Sequence, residues 1–212
     1  MFETKKGKFI SIHGIDGTGK TSTAAAVTNH LVTAGIPSIN YDVYKNGIKN
    51  PHSDKKKEAD QMGTLEDRLA VYLESMMYHS DAIETLLEQG FYVVKSRYLD
   101  DICVHFRHLG ISQEIMEEFM KKFPMVQPDL KVILQLTETK RRQRINSTRE
   151  ILDANDLDEK TVDSRAHFFE DYLLKAAEAA PVGSVLHVDT GECDIYEVSR
   201  KIIDRILADT TS

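Results

Sequence analysis

A chain of 212 residues with 41% hydrophobic and 29% charged residues is sized for one well-cored α/β domain, and no break in composition marks a second one. A formal net charge of −7 argues against general affinity for a nucleic acid backbone, which needs clustered lysine and arginine, although small anions can still be held locally. The apolar runs are too short for a membrane span and no signal-peptide core precedes the first glycines, so a cytoplasmic protein without membrane association is expected; Cys103 and Cys193, far apart, predict neither a disulfide framework nor a zinc site.

Short β-rich runs alternate with longer helical ones, the pattern of βαβ units around a parallel sheet. The first strand is predicted at 8–13 (KFISIH), followed by a glycine loop and a helix ending at Gly35. A second strand is predicted at 36–43 (IPSINYDV), then a polar segment at 46–63 that reads as a solvated loop. Apolar residues at helical spacing from Leu65 to Leu87 predict one long helix, or two with a bend, stopped at Gly90. Strands at 91–95, 130–136 and 184–189 follow, with helices at about 99–109, 112–122, 138–147, 159–179 and 194–208. The segment 146–157 interrupts two helical stretches and reads as a mobile lid of the kind that excludes water from a cleft. Residues 1–212 are read as a single domain.

The chemistry begins at Gly14-Ile15-Asp16-Gly17-Thr18-Gly19-Lys20-Thr21, a full match to G-x-x-x-x-G-K-[ST] between a predicted strand and a predicted helix. In that context backbone N–H groups and a helix N-terminus surround a phosphate chain. Gly14, Gly17 and Gly19 let the backbone turn and approach closely, with Thr18 and Ser22 in the same cradle. Lys20 would reach the terminal phosphates, and the Thr21 hydroxyl would ligate Mg²⁺, making a nucleotide with Mg²⁺ the expected ligand. Asp16 lies where a carboxylate faces bound phosphates, a costly placement unless it holds a sugar hydroxyl, water or Mg²⁺.

The acceptor must be read elsewhere. In GFYVVKSRYLDD (90–101) a buried strand ends in a charged and aromatic cluster, and ligands in open parallel sheets lie beyond the carboxyl ends of strands. Arg97 and Tyr98 are therefore expected to face the cleft, Arg97 binding a substrate phosphate bidentately and Tyr98 stacking or bonding beside it. In TETKRRQRINSTRE (137–150), one of Arg141, Arg144 or Arg149 could close on the transferring group. The eight histidines show no ligand spacing and read as structural or surface residues.

With these motifs in place, nearly the whole chain resembles the thymidylate kinase family of P-loop nucleoside monophosphate kinases. The family's E-G-x-[DE]-G-x-G-K-[ST]-T is similar to His13–Ser22, its G-x-x-V-I-x-D-R-Y to Gly90–Tyr98, its P-D-L strand to Pro128–Leu136, its E-R-[IL] to Gln143–Ile145 and its I-D-[AG] to His187–Thr190. The resemblance implies a five-stranded parallel sheet flanked by helices, a mobile lid, often a homodimer, and ATP with its adenine near Arg144 and the loop after Asp189. It also implies that Asp16 and Arg97 serve the acceptor ribose or Mg²⁺ shell and the acceptor phosphate, with a catalytic arginine, Arg149 the candidate, supplied by the lid.

The departures lie on the acceptor side. Ser96 stands where the family has an aspartate, Tyr44-Lys45-Asn46-Gly47 where it often has R-E-P-G-G, Ser75 near a thymidylate-holding arginine, and Asp101 and Phe106 where a serine and a glutamine often line the base. The expected reaction is phosphoryl transfer to a nucleoside monophosphate, dTMP by default, with Tyr44, Tyr98 and Asp101 as further substrate-side candidates. Two alternatives stay open: a kinase for another small-molecule acceptor, and a nucleotide-binding protein without efficient transfer.

Overall fold

A computed structural model describes residues 6–47, 50–52, 55, 58–59, 61, 63–148, 167–175, 180–181 and 183–208, with side chains of the 138–148 helix described to Ile145. Five strands, β1 (Phe9–His13), β2 (Ser38–Asn40), β3 (Tyr92–Ser96), β4 (Leu130–Gln135) and β5 (Val185–Asp189), form one sheet in the order β2-β3-β1-β4-β5. Every pairing is parallel, with β1 central between β3 and β4. The helices are α1 (Lys20–Thr33), the single turn α2 (Tyr41–Tyr44), α3 (Leu65–Glu88), α4 (Leu99–His108), α5 (Gln113–Lys122), α6 (Glu138–Thr148) and α7 (Ile195–Ala208); residues 167–175 are helical as well.

All five residues of β1 are buried, as expected for a strand covered by helices on both faces. Because successive side chains alternate, Phe9 and Ile10 serve different cores. Phe9, Tyr41 and Val93 pack with Leu69, Leu73, Ile83 and Leu87 of α3 and Ile102 and Phe106 of α4. Ile10, Ile12, Val94, Val132 and Leu134 pack with Ala24, Val27 and Leu31 of α1 and Val198, Ile202 and Ile206 of α7. Each such large apolar side chain contributes about 1.5–3 kcal/mol when fully buried. The α3/α4 face turns polar toward the carboxyl ends of the strands, where Ser11, His13 and Lys95 are all buried.

The glycine stops hold where the chain must turn: Gly35 and Gly90 have φ of 78° and 86°. The long helix is continuous, and Thr64 and Asp67 close its N-terminus in a capping box. The second strand is shorter than the predicted 36–43. The Asn40 side chain accepts a hydrogen bond from Asp42 N at 3.1 Å, and this cap converts Tyr41–Tyr44 into a helical turn. Within 46–63, residues 55, 58–59 and 61 are helical where a loop was expected, in a run, KKKEADQ, free of glycine and proline and dominated by residues that tolerate helix. The expected lid falls mostly outside the described residues. Both cysteines are free, and burial pushes the Cys103 thiol up to about 12. Among the described residues no helix is long and apolar enough to cross a membrane.

Candidate active site

The site starts in the backbone. Gly14, Gly17 and Gly19 adopt φ of 144°, 91° and 90°, values that residues with a Cβ rarely take. A Cβ on Gly14 would stand 2.6 Å from the Leu134 carbonyl oxygen, whereas one on Gly19 would meet no atom within 4 Å. Glycine is thus required at 14 by the approach to β4 and at 19 by the turn itself, which leaves open space above the loop. Gly19 is also the N-cap of α1; no side chain caps it and no acidic residue occupies the first turn. The first N–H groups of a helix have no intrahelical acceptor, so this terminus presents donors to an anion.

Lys20, 6% exposed, donates from Nζ to the Ile15 carbonyl oxygen at 2.9 Å and lies 3.3 Å from Asp16 Oδ1. Burial and the nearby Arg97 lower its pKa, while Asp16 works in the opposite sense, so the free protein holds this ammonium at a cost that a phosphate would relieve. Burial raises the Asp16 carboxyl, but Lys20 and Arg97 together outweigh it and hold the group below the usual carboxylate range. Thr18 is buried and donates to Ile15 O at 2.8 Å, bracing the loop, while Thr21 and Ser22 are exposed at its rim.

Across the cleft, Arg97 follows the last residue of β3 and its guanidinium contacts the Asp16 carboxylate. Its backbone has φ of 58°, the one positive value for a non-glycine among the described residues, a conformation that costs about 1–2 kcal/mol. Asp101 lies behind it: Oδ1 is 3.9 Å from Arg97 Nε, and Oδ2 accepts from Tyr98 N at 3.1 Å and lies 2.7 Å from His13 Nδ1. Since a carboxylate only accepts, His13 Nδ1–H donates to Asp101, and His13 Nε2 lies 2.8 Å from the Ser11 hydroxyl. Lys131 pairs with Asp100 at 2.9 Å, extending this charged layer across the sheet.

A second cluster joins β2 to β3. Asp42 Oδ2 accepts from Ser96 N at 2.7 Å and from Ser96 Oγ at 2.6 Å, while Oδ1 meets Lys45 at 2.9 Å and Lys95 at 3.4 Å. Burial opposes the Asp42 charge, but Lys95, Ser96 and Lys45 hold its carboxyl down at about 2. The partner pays in the other direction, because burial dominates at Lys95 and lowers its pKa; the pair is therefore worth less than the Asp42 shift alone suggests. Farther along the same face, Asn50 Nδ2 donates to Ser75 Oγ at 2.9 Å and to His79 Nε2 at 3.0 Å, and His79 Nδ1 is 3.0 Å from the Tyr41 hydroxyl.

On the other flank α6 lies over the loop: a Cβ on Gly17 would be 3.0 Å from Ile145 and 3.2 Å from Arg141. Arg141 is buried and bonded to Glu138 at 2.6 and 2.8 Å. Arg144 donates to the Thr190 carbonyl oxygen at 2.6 Å, and Lys140 to the Gly191 carbonyl oxygen at 2.9 Å, which tie α6 to the loop after Asp189.

Of the residues singled out from sequence, Asp16, Lys20, Arg97 and Asp101 come together, and Arg144 meets the loop after Asp189. Tyr98 does not face the cleft. It is 1% exposed and packs edge-on against Phe9 at 5.0 Å, because the left-handed turn at Arg97 sends the next side chain into the core. Tyr44, 42% exposed, packs against Tyr41 and lines a groove with Ala25, Thr28 and Asn29 of α1. Arg149 lies outside the described residues. His13, Asp42, Lys95, Asn50 and His79 were missed; for the first three the signal was their place at the carboxyl ends of strands.

The donor set fits a nucleotide with its cation. The glycine cradle and helix terminus suit phosphates, and one hydroxyl with one carboxylate, Thr21 and Asp16, suits Mg²⁺, which is held by few protein ligands together with phosphate oxygens. The thymidylate kinase family model matches residues 12–202. The thymidylate kinase of Limosilactobacillus fermentum is 30% identical over 179 residues, covering 80% of this chain and 82% of its own. The probable thymidylate kinase of Methanococcoides burtonii is 29% identical over 212 residues, covering 95% of this chain and 96% of its own. Among solved structures, the thymidylate kinase of Candida albicans shares the fold with a TM-score of 0.70 at 16% identity, covering 97% of this chain and 93% of its own. A glycine cradle of this geometry, the five-stranded order and a match over most of the sequence converge: this chain belongs to the thymidylate kinase family.

Proposed function

We propose that the protein transfers the γ-phosphoryl group of ATP to a nucleoside monophosphate, dTMP being the acceptor, in a Mg²⁺-dependent reaction. The observation that carries this reading is that the Gly14–Lys20 cradle and Arg97 meet at Asp16, so one cation on the donor side and one on the acceptor side face each other across a single carboxylate. Family membership supports dTMP as the acceptor.

In this reading the N–H groups at the start of α1 and Lys20 hold the β- and γ-phosphates, Arg144 and the loop after Asp189 border the adenine, and Thr21 with Asp16 would hold Mg²⁺ and its water. The bound cation supplies charge neutralisation across the phosphates. Arg97 orients the acceptor phosphate, whose oxygen is already nucleophilic and needs no general base; that oxygen forms a bond to the γ-phosphorus as the bond to the ADP oxygen breaks. Catalysis is then positioning together with charge stabilisation. Lys20 and Arg149 are the cations proposed for the transferring group. The same reading carries a cytoplasmic setting and a homodimer, the latter open to sedimentation analysis.

The test is Mg²⁺-dependent ADP production across a panel of nucleoside monophosphates and nucleosides, with Lys20→Ala as control. Highest kcat/KM for dTMP, lost in the variant, is expected. Preference for another acceptor would overturn the dTMP assignment, and ATP binding without turnover of any acceptor would overturn the kinase.

A further inference from the structure

The three backbone N–H groups around Arg97 are each claimed by a different element. Ser96 N donates to Asp42 Oδ2 at 2.7 Å, Arg97 N to the Ile12 carbonyl oxygen at 2.9 Å, and Tyr98 N to Asp101 Oδ2 at 3.1 Å. The central acceptor is the neighbouring strand, whereas the outer two are carboxylates that approach from opposite sides. Asp42 comes from the turn after β2, 54 positions earlier in sequence, and also takes the Ser96 hydroxyl at 2.6 Å. Each carboxylate is itself seated: Asp42 by Lys45 and buried Lys95, Asp101 by buried His13.

Between these two carboxylates sits the left-handed residue of the turn, whose φ of 58° an arginine does not adopt without external restraint. The side chain leaving that residue is more than half exposed, reaching Asp16 across the cleft. Its direction is therefore set less by packing of its own atoms than by the backbone from which it departs. A backbone held on both sides by hydrogen bonds to carboxylates, at 2.7 and 3.1 Å, defines that direction.

We propose that Asp42 is a positioning residue for the acceptor phosphate: with Asp101 it clamps the strained turn at 96–98 and so fixes the departure of Arg97 into the cleft. The inference rests on the reading of Arg97 as the acceptor-phosphate ligand. Asp42 touches no reacting atom; it acts through Ser96. Loss of the clamp lets Arg97 relax toward ordinary φ and swing away, which weakens acceptor binding while leaving the Gly14–Lys20 cradle in place.

The experiment is steady-state kinetics with dTMP and ATP on the full chain for Asp42→Ala, Asp42→Asn, Ser96→Ala, Arg97→Ala and the double variant Asp42→Ala/Arg97→Ala. Asp42→Ala is expected to raise the acceptor KM by about 10-fold to 100-fold, as misplacement of a substrate-orienting group does, with the ATP KM unchanged. Asp42→Asn, which keeps an acceptor for Ser96, should recover most of that loss. The double variant should be no worse than Arg97→Ala alone, a coupling that mere loss of stability does not produce. Should Asp42→Ala fail to fold, Ser96→Ala removes half of the clamp and is expected to raise the acceptor KM by a smaller factor. If Arg97→Ala raises the acceptor KM while Asp42→Ala, or Ser96→Ala in its place, does not, or if the double variant is additive, the clamp is wrong and the reading of Arg97 survives. If Arg97→Ala leaves the acceptor KM unchanged, the reading of Arg97 fails and the clamp falls with it.

Discussion

The two sides of the cleft are built from different materials. On the donor side the phosphate cradle is backbone: three glycines at positive φ, an uncapped helix terminus and a single buried lysine. On the acceptor side the turn carrying Arg97 is held by side chains drawn from β1, the β2 turn and α4, with charge alternating from Asp42 through Lys95 to Asp101 and with His13 hydrogen-bonded to Asp101. A backbone site demands particular residues at particular spacings, because few residues can take the conformation. A side-chain network demands only that donors and acceptors balance, and many residue sets meet that condition.

This contrast predicts where substitutions act. The largest effect is expected at Lys20. Lys20→Ala should lower kcat by at least about 10²–10³, as loss of a donor aimed at developing charge does, while the melting temperature stays level or rises, since the buried ammonium is penalised in the free protein. A melting temperature that collapses would mean that the lysine is structural. Next comes Gly14→Ala, which forces a Cβ to 2.6 Å from Leu134 O and should cost at least about 2 kcal/mol by denaturant unfolding, from backbone strain and overpacking. Gly19→Ala, with open space around its Cβ, should cost less, so equal losses would remove the distinction drawn between the two glycines.

On the acceptor side the effects should be smaller and confined to one substrate. Asn50→Ala removes one hydrogen bond from Ser75 and one from His79 and should raise the acceptor KM by about 3-fold to 10-fold, with the ATP KM unchanged. A shift in the ATP KM would show that the two sides are not separable. The smallest effect is in acid. A carboxyl whose folded pKa lies near 2, below its unfolded value, contributes stability that is present above about pH 4 and lost as pH falls toward 2. Asp42→Asn should flatten the stability profile between those limits by less than about 2 kcal/mol, because the burial cost of Lys95 offsets part of the pair. An unchanged slope would show that Asp42 is not the carboxylate that titrates.

The same division decided what could be read from sequence. Strand positions and the glycine stops followed from apolar runs and punctuation, the helix-flanked five-stranded sheet from the family resemblance, and the cradle from one eight-residue motif. Arg97 was legible because it ends a buried strand. Tyr98, next to it, was not: its direction depends on a left-handed residue that no propensity assigns to arginine. The Asp42–Ser96 contact was hidden for a related reason. An asparagine cap ends β2 early and turns Asp42 toward a strand whose pairing partners are fixed only by the sheet. What the sequence marks as a missing carboxylate at Ser96 is, in space, a serine with a carboxylate 2.6 Å from its hydroxyl.

The most direct test of the central claim is ³¹P NMR of the protein with ATP, Mg²⁺ and dTMP. The account predicts that the β-phosphate resonance of dTDP grows in step with ADP and that Lys20→Ala abolishes both. ADP accompanied only by inorganic phosphate would contradict it, since the cleft would then pass the phosphoryl group to water and not to the acceptor.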